Sequence, residues 1–69
     1  MKIYAVQFHN GDQDEWEEIS ILKYFLNKQS AENFRMSEMI KDPNWVRFHA
    51  IDPDTLYGYT VVEINVETK

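Results

Sequence analysis

The sequence predicts an α+β domain: a mainly antiparallel sheet of three or four strands with one α-helix packed on one face, in the order β-β-α-(β)-β. Two segments with alternating apolar side chains precede a helical segment, and another follows it. Asn10-Gly11, between the first two segments, is typical of a turn because both residues tolerate positive φ. The chain has 69 residues, so we expect a single domain spanning 1–69.

Residues 2–8 predict the first strand. Tyr4, Val6 and Phe8 fall on one side of it, and apolar residues also occupy the other side. A strand that is apolar on both sides is expected inside a sheet rather than at its edge. We therefore predict that this strand lies between two others.

Residues 16–25 predict a second, longer strand that pairs with the first as a hairpin across an acidic loop. Its β-branched and aromatic residues favour a strand over a helix. With uninterrupted alternation, Ile19, Ile21 and Phe25 share one side and are expected to face the core.

Asn27 is predicted to cap a helix that runs from Lys28 to Lys41. This segment contains no glycine or proline. Asp42-Pro43 is predicted to end the helix, because the residue before proline is pushed out of the helical region.

The apolar residues of this helix form two patches instead of one stripe. Ala31 and Phe34 lie on one side, and Met36, Met39 and Ile40 lie well round from them at helical spacing. Two patches predict that one packs on the sheet and that the other contacts something else.

Residues 45–51 alternate weakly, which predicts a further strand or an extended loop. Residues 52–54 form a predicted turn, and residues 57–66 a final strand. The predicted core consists of Val6, Ile19, Ile21, Phe25, Ala31, Phe34, Val62 and Ile64.

Composition limits the classes of function. The net charge is −5, with scattered basic residues, which disfavours direct binding to nucleic acid. The chain has no cysteine, no signal-like stretch and no run of apolar residues suited to a membrane. We expect a complete small acidic protein of the cytoplasm, with no membrane contact. A chain so short gains stability from tight packing or from self-association, so a homodimer is one of the expected arrangements.

Three short stretches carry a family resemblance: Phe25-Leu26-Asn27-Lys28-Gln29-Ser30-Ala31, Gly58-Tyr59-Thr60-Val61, and the opening Ile3-Tyr4-Ala5-Val6. Together they resemble a family of short bacterial and bacteriophage proteins with a β-β-α-β plan. The resemblance spans most of the chain and implies this fold and a bacterial or phage origin. It implies no particular activity, because none is assigned to that family.

No residue pattern predicts catalysis, a cofactor or a metal site. His9, Asp12, Asp14 and His49 could converge only through the fold, and their spacing matches neither a calcium loop nor a zinc site. The serines lack the setting of an activated nucleophile. With two glycines in the chain, no phosphate-binding loop is present. We therefore predict that the protein is not an enzyme.

Five of the seven residues from Asp12 to Glu18 are acids. Such a run is expected to be a solvated loop that prevents edge pairing. The alternative is that it imitates a run of phosphates and inhibits a nucleic-acid-binding protein as an acidic DNA mimic. This acidic patch consists of Asp12, Asp14, Glu15, Glu17 and Glu18.

The main functional hypothesis is a non-catalytic protein-binding module that contacts itself or a host protein. The hypothesis rests on a surplus of aromatic and apolar residues in a chain without catalytic motifs. Tryptophan is enriched at binding hot spots, and methionine adapts to varied partners. The predicted partner-binding residues are Trp16, Met36, Met39, Ile40 and Trp45.

Overall fold

The computed structural model describes residues 1–67 and confirms the α+β class. A three-stranded antiparallel sheet has the order β2-β1-β3, and two helices follow β2 in the chain. The elements are β1 (Lys2–His9), β2 (Ile19–Phe25), α1 (Lys28–Lys41), α2 (Pro43–Ile51) and β3 (Gly58–Asn65).

Strand β1 lies at the centre of the sheet, as predicted, and pairs with β2 on one side and β3 on the other. Val6 lies opposite Lys23 of β2 and Val61 of β3. Val6 is the largest side chain that is completely buried among the described residues, so the centre of β1 is also the centre of the core.

Strand β2 contains a bulge that the sequence pattern does not reveal. Val6 pairs with Lys23, but the next residue of β1, Gln7, pairs with Ile21. Leu22 is therefore an extra residue in β2. An extra residue of this kind shifts the alternation of side chains along the strand.

The bulge overturns part of the predicted core. Ile19 and Ile21 lie on the opposite side of the sheet from Phe25, and both are exposed. The prediction that all three face the core is therefore wrong for the two isoleucines. The strand also begins at Ile19 rather than at residue 16.

Helix α1 begins and ends where the sequence predicts. The Asn27 side chain accepts a hydrogen bond from the Ser30 backbone N–H at 3.2 Å, which caps the first turn. Ala31 is completely buried, and the ring of Phe34 lies 5.4 Å from that of Phe25. These contacts place α1 on the sheet face that carries Phe25.

The predicted core assumed that Val62 and Ile64 of β3 face the helix, but the opposite set of side chains does so. Val61 pairs with Val6 and Tyr59 pairs with Phe8, so these residues share the face covered by α1. Val62 and Ile64 are half-buried on the other face. The helix therefore packs on the tyrosine side of β3.

Residues 45–51 form a helix, so the prediction of a strand or an extended loop is wrong. The Asp42 side chain accepts a hydrogen bond from the Asn44 N–H at 2.9 Å and caps α2. Pro43 occupies the first turn, where its fixed φ suits a helix and its missing N–H has no helical partner to lose. The weak alternation in this segment reflects the spacing of a short helix. Its Trp45 side chain lies beside Gly58, the first residue of β3, and its Phe48 ring contacts Tyr57, the residue before that strand.

The junction of α2 and β3 depends on Gly58. The Trp45 ring stacks on His49 with 4.1 Å between centroids, and His49 Nε2 donates to the Tyr57 carbonyl at 2.8 Å. Gly58 has φ +148°, and a Cβ at this position would lie 3.2 Å from Trp45 Nε1. Both the backbone angle and the close indole favour glycine here.

We predict that Gly58→Ala lowers the free energy of unfolding by about 1–3 kcal/mol, because it adds backbone strain and a contact with Trp45. Urea denaturation followed by circular dichroism measures the change. Thr60→Ala, at an exposed position of the same strand, is the matched control and should change stability much less. A Gly58→Ala protein as stable as the control variant would contradict this account of the junction.

Candidate functional site

The sheet has one face that α1 does not cover. Phe8 and Tyr59 line a groove together with Glu38 and Lys41 of α1, which confirms the side on which this helix lies. Side chains that alternate with Phe8 and Tyr59 point to the other side. We call that side the outer face.

The outer face is mainly apolar. The register of the strands places ten side chains on it: Ile3, Ala5, Gln7, His9, Ile19, Ile21, Tyr24, Thr60, Val62 and Ile64. None of the ten is Asp, Glu, Lys or Arg, although 28% of the residues in the chain are charged. His9, at the loop end of the face, lies 3.3 Å from the carboxylate of Glu17. Ile19 is 50% exposed and Tyr24 is 58% exposed, so large apolar surfaces remain open to solvent.

The centre of the outer face is closed to solvent. Ala5 lies at the middle of the central strand and is completely buried. Its cross-strand neighbours Tyr24 and Val62 are larger and stand on either side of it. The exposed surface of the outer face is therefore formed by larger side chains, such as Ile19, Ile21 and Tyr24.

The covered side of the sheet carries a groove around Asp42, with a volume of about 520 Å³. It lies where α1 ends, α2 begins and β3 crosses beneath them. Its lining residues are Phe8, Leu22, Glu38, Lys41, Asp42, Pro43, Tyr57 and Tyr59.

Asp42 is the acceptor at the centre of this groove. Its Oδ2 atom accepts hydrogen bonds from the Tyr57 hydroxyl at 2.5 Å and the Tyr59 hydroxyl at 2.8 Å. Its Oδ1 atom accepts the Asn44 N–H that caps α2. Partial burial alone would raise the pKa of the Asp42 carboxyl, but these hydrogen bonds outweigh it and hold the pKa below its ordinary value.

The pKa values of the two tyrosine hydroxyls shift in the opposite direction. Burial, together with the hydrogen bond to Asp42 and its negative charge, raises the pKa of Tyr57 to about 12. The same causes raise the pKa of Tyr59 well above its ordinary value. At neutral pH the carboxyl is an anion and both phenols are neutral donors. None of the three groups is suited to exchanging a proton near neutral pH, so the geometry favours a structural role.

Aromatic packing completes the connection between α2 and the sheet. The Phe8 ring lies 5.3 Å from that of Tyr57 and 5.4 Å from that of Tyr59. Phe48 of α2 meets Tyr57 edge-on at 4.8 Å. These contacts hold the tyrosine hydroxyls in reach of Asp42.

The predicted partner-binding residues fall into three places. Trp16 is 75% exposed in the loop between β1 and β2. Met36 and Ile40 are exposed on α1 beside the half-buried Met39. Trp45 is half-buried between His49 and Gly58, so it belongs to the fold rather than to a free surface.

The Met36–Ile40 side of α1 is a second open apolar surface. Met36 and Ile40 border a shallow depression of about 340 Å³ with Asn33, Ser37 and Lys41. The predicted second patch of the helix therefore lies away from the sheet, and its polar border distinguishes it from the outer face.

Internal hydrogen bonds shape the acidic loop. The Asn10 side chain donates to the Trp16 carbonyl at 2.8 Å and accepts from the Asp12 N–H at 3.1 Å. The Asp12 carboxylate accepts from the Asp14 N–H at 2.8 Å. Asp12 is therefore partly used in holding the loop, whereas Glu15 and Glu18 are exposed on it.

His9 connects this loop to the sheet. The Gly11 N–H donates to His9 Nδ1 at 2.8 Å, so the ring proton lies on Nε2, which faces Glu17 Oε2 at 3.3 Å. His49 is engaged separately with the Tyr57 carbonyl. Within residues 1–67, no three His, Asp or Glu side chains are arranged to hold a metal ion.

Sequence analysis missed the Asp42–tyrosine cluster and the outer face. Two signals for the cluster were present: Asp42 precedes a proline in the manner of a helix cap, and Tyr57 and Tyr59 alternate along a strand. The outer face could not be assigned, because the extra residue at Leu22 reverses the alternation and leaves no mark in the sequence.

Comparison of the chain with protein-family models, curated proteins and solved structures gives no match. The resemblance to short bacterial and bacteriophage proteins therefore stays a prediction. Among the described residues, no helix has the length and apolar character needed to cross a membrane.

We predict that Asp42 stabilises the fold above its ordinary pKa of 3.8 and that this contribution is lost as the pH falls through its lower folded-state value. Asp42→Asn should reduce the stability at pH 7 and weaken its dependence on acid. Urea denaturation at several pH values between neutral and acid measures both effects. Equal acid dependence in the wild-type and Asp42→Asn proteins would contradict this role.

We predict that Tyr57→Phe lowers the free energy of unfolding by about 1–3 kcal/mol, because a hydrogen bond to a charged group is lost. The raised pKa of Tyr57 adds stability that is complete below its ordinary value of 10.0 and lost as the pH rises through about 12. Because the pKa of Tyr59 is raised as well, ultraviolet absorbance should show two tyrosines ionising well above the ordinary value of 10.0, and Tyr57→Phe should leave one. Two tyrosines that still ionise in this high range in the variant would refute the assignment.

Proposed function

We propose that this chain is a non-catalytic protein-binding module of the cytoplasm, which acts through protein–protein contacts and uses the outer face as its contact surface. One observation carries the proposal: α1 covers one side of the sheet, and the other side is mainly apolar, with no Asp, Glu, Lys or Arg on it. Apolar patches of this kind on small proteins commonly mark interaction sites. The cysteine-free composition supports a reducing compartment.

The energetics of the outer face support association. Ile19 and Ile21 are close to half exposed. Completing the burial of such a side chain contributes about 1 kcal/mol. Ile19, Ile21 and Tyr24 together would therefore supply on the order of 3 kcal/mol before neighbouring residues are counted. The ionisable pair His9–Glu17 lies at the loop end of the face, so a partner that covers the rest of it desolvates no charge and little of that gain is offset.

The acidic loop gives weaker support to the alternative function, that of an acidic DNA mimic. The carboxylate of Asp12 binds a backbone N–H within the loop, and Glu17 lies against His9. Two of the five acids thus help to form the loop itself. For this reason we assign binding to the outer face and treat the loop as the solvated end of the sheet.

The surface around Met36 and Ile40 offers a second place for contact. It is smaller and bordered by Asn33 and Lys41, and methionine there can adapt to partners of different shape. We assign it a supporting role, because it spans one helix whereas the outer face spans three strands.

A pair of neighbouring substitutions tests the proposal. Ile21 is 43% exposed on the outer face, and Leu22 is 44% exposed on the helix side of the same strand. We predict that Ile21→Lys abolishes binding to partner proteins, whether further copies of the chain or proteins from the source cell. Leu22→Lys should leave this binding intact. Quantitative affinity capture with the tagged protein measures both.

Two controls make the result decisive. Circular dichroism must show that both lysine variants are folded, and Ile40→Lys tests the α1 surface separately. Capture that depends on Ile40 or Leu22 but not on Ile21 would refute the assignment to the outer face. Absence of any Ile21-dependent association, with itself or with another protein, would refute the proposed function.

A further inference from the structure

We infer that the occupant of the outer face is a second copy of this chain, so that two sheets pack face to face in a twofold symmetric dimer. This inference rests on the proposed function and names its partner. A twofold interface uses the same surface on both subunits, so the surface must be complementary to itself. Three features of the chain favour such a contact: its charge distribution, the position of its acidic loop and its thin core.

The charge distribution favours a second copy. Each chain carries a net charge of −5, so two copies repel each other over most of their surface. The outer face carries no Asp, Glu, Lys or Arg, and its histidine, His9, lies at the loop end beside Glu17. A partner recognised through basic groups would meet Glu17 at the margin of the face and no other acid on it. An identical face can approach over the remaining side chains without leaving an ion unpaired.

The acidic loop also selects the orientation. It joins the end of β1 to the start of β2, so its acids lie beyond one end of the sheet. A twofold axis perpendicular to the strands makes the strands of the two copies antiparallel across the interface. This arrangement places the two acidic loops at opposite ends of the dimer, whereas an axis along the strands would bring them to the same end.

The same orientation gives a reciprocal contact. It places β2 of one copy over β2 of its partner, with the level of Ile21 near the level of Tyr24. Both side chains are large and about half exposed in the single chain, Ile21 at 43% and Tyr24 at 58%. Their reciprocal contact would bury them between the two layers, as side chains are buried between packed sheets about 10 Å apart.

The core of the single chain is thin, so the fold would gain stability from such packing. Only Ala5, Val6, Ala31 and Tyr57 are buried apolar residues among the described part of the chain. Ala5 owes its burial to cross-strand neighbours rather than to a helix. A second sheet against the outer face would turn two layers into four and bury the residues that the single chain leaves half exposed.

The size of the outer face sets the expected strength of the dimer. Strands of eight, seven and eight residues form it. At ordinary strand dimensions they span roughly 26 by 14 Å, or about 360 Å² of flat area. Side-chain relief increases this area towards the lower limit of about 600 Å² per partner for stable interfaces. We therefore expect a dimer that dissociates on dilution.

Sedimentation equilibrium of the purified chain, from low micromolar to millimolar protein, tests the inference. The wild-type protein should pass from monomer to dimer as the concentration rises. Ile21→Lys should be monomeric throughout, and Leu22→Lys should behave like the wild type. A wild-type protein that stays monomeric over the whole range would overturn the inference.

Crosslinking then locates the interface. The chain has no cysteine, so Ile21→Cys and Leu22→Cys each introduce a single reactive thiol. A short bifunctional maleimide should join two Ile21→Cys chains efficiently and two Leu22→Cys chains poorly. Dimers that crosslink through position 22 instead would overturn the face-to-face arrangement.

These outcomes separate the inference from the proposed function. A monomeric chain that still captures a different protein through Ile21 would refute the dimer and leave the binding function in place. A monomeric chain with no Ile21-dependent capture would refute both.

Discussion

The carboxylate of Asp42 is the point on which the arrangement of α1, α2 and β3 depends. It stands between the two helices, accepts the first free N–H of α2 and receives the hydroxyls of Tyr57 and Tyr59. Hydrogen bonds to one anion thus reinforce the aromatic packing of α2 against Tyr57. Because burial raises the pKa of both phenols and the hydrogen bonds lower that of Asp42, the network keeps one charge state across the neutral range.

Helix α1 packs on one side of the sheet and leaves the outer face open. Among residues 1–67, the large side chains Tyr24 and Ile19 of this face remain at least half exposed. The proposed function therefore uses a surface rather than a cleft.

Much of the fold could be predicted from local signals. The central position of β1 follows from its two apolar sides, and the bounds of α1 follow from Asn27 and Pro43, whose chemistry acts within a few residues. Helix α2 was missed because nine residues are too few for their periodicity to be distinguished from alternation. Asp42 was recognised as the end of one helix but not as the start of the next.

The candidate site was harder to predict, because it depends on distant pairings. Which side of β2 faces the helices is decided by the bulge at Leu22, and a bulge depends on how two strands match. The contact of Asp42 with Tyr57 joins residues that are fifteen positions apart. Neither relation has a local cause that residue type alone could reveal.

The extra residue at Leu22 reverses the alternation of β2, so residues 19 and 21 before it and residue 24 after it lie on the outer face. Lys23 and Phe25 belong to the layer beneath α1. Substitutions at residues 19 and 21 therefore leave the contacts of Lys23 and Phe25 with Phe34 in place. Under the proposed function, the contact surface and the packing beneath α1 can evolve separately within one strand.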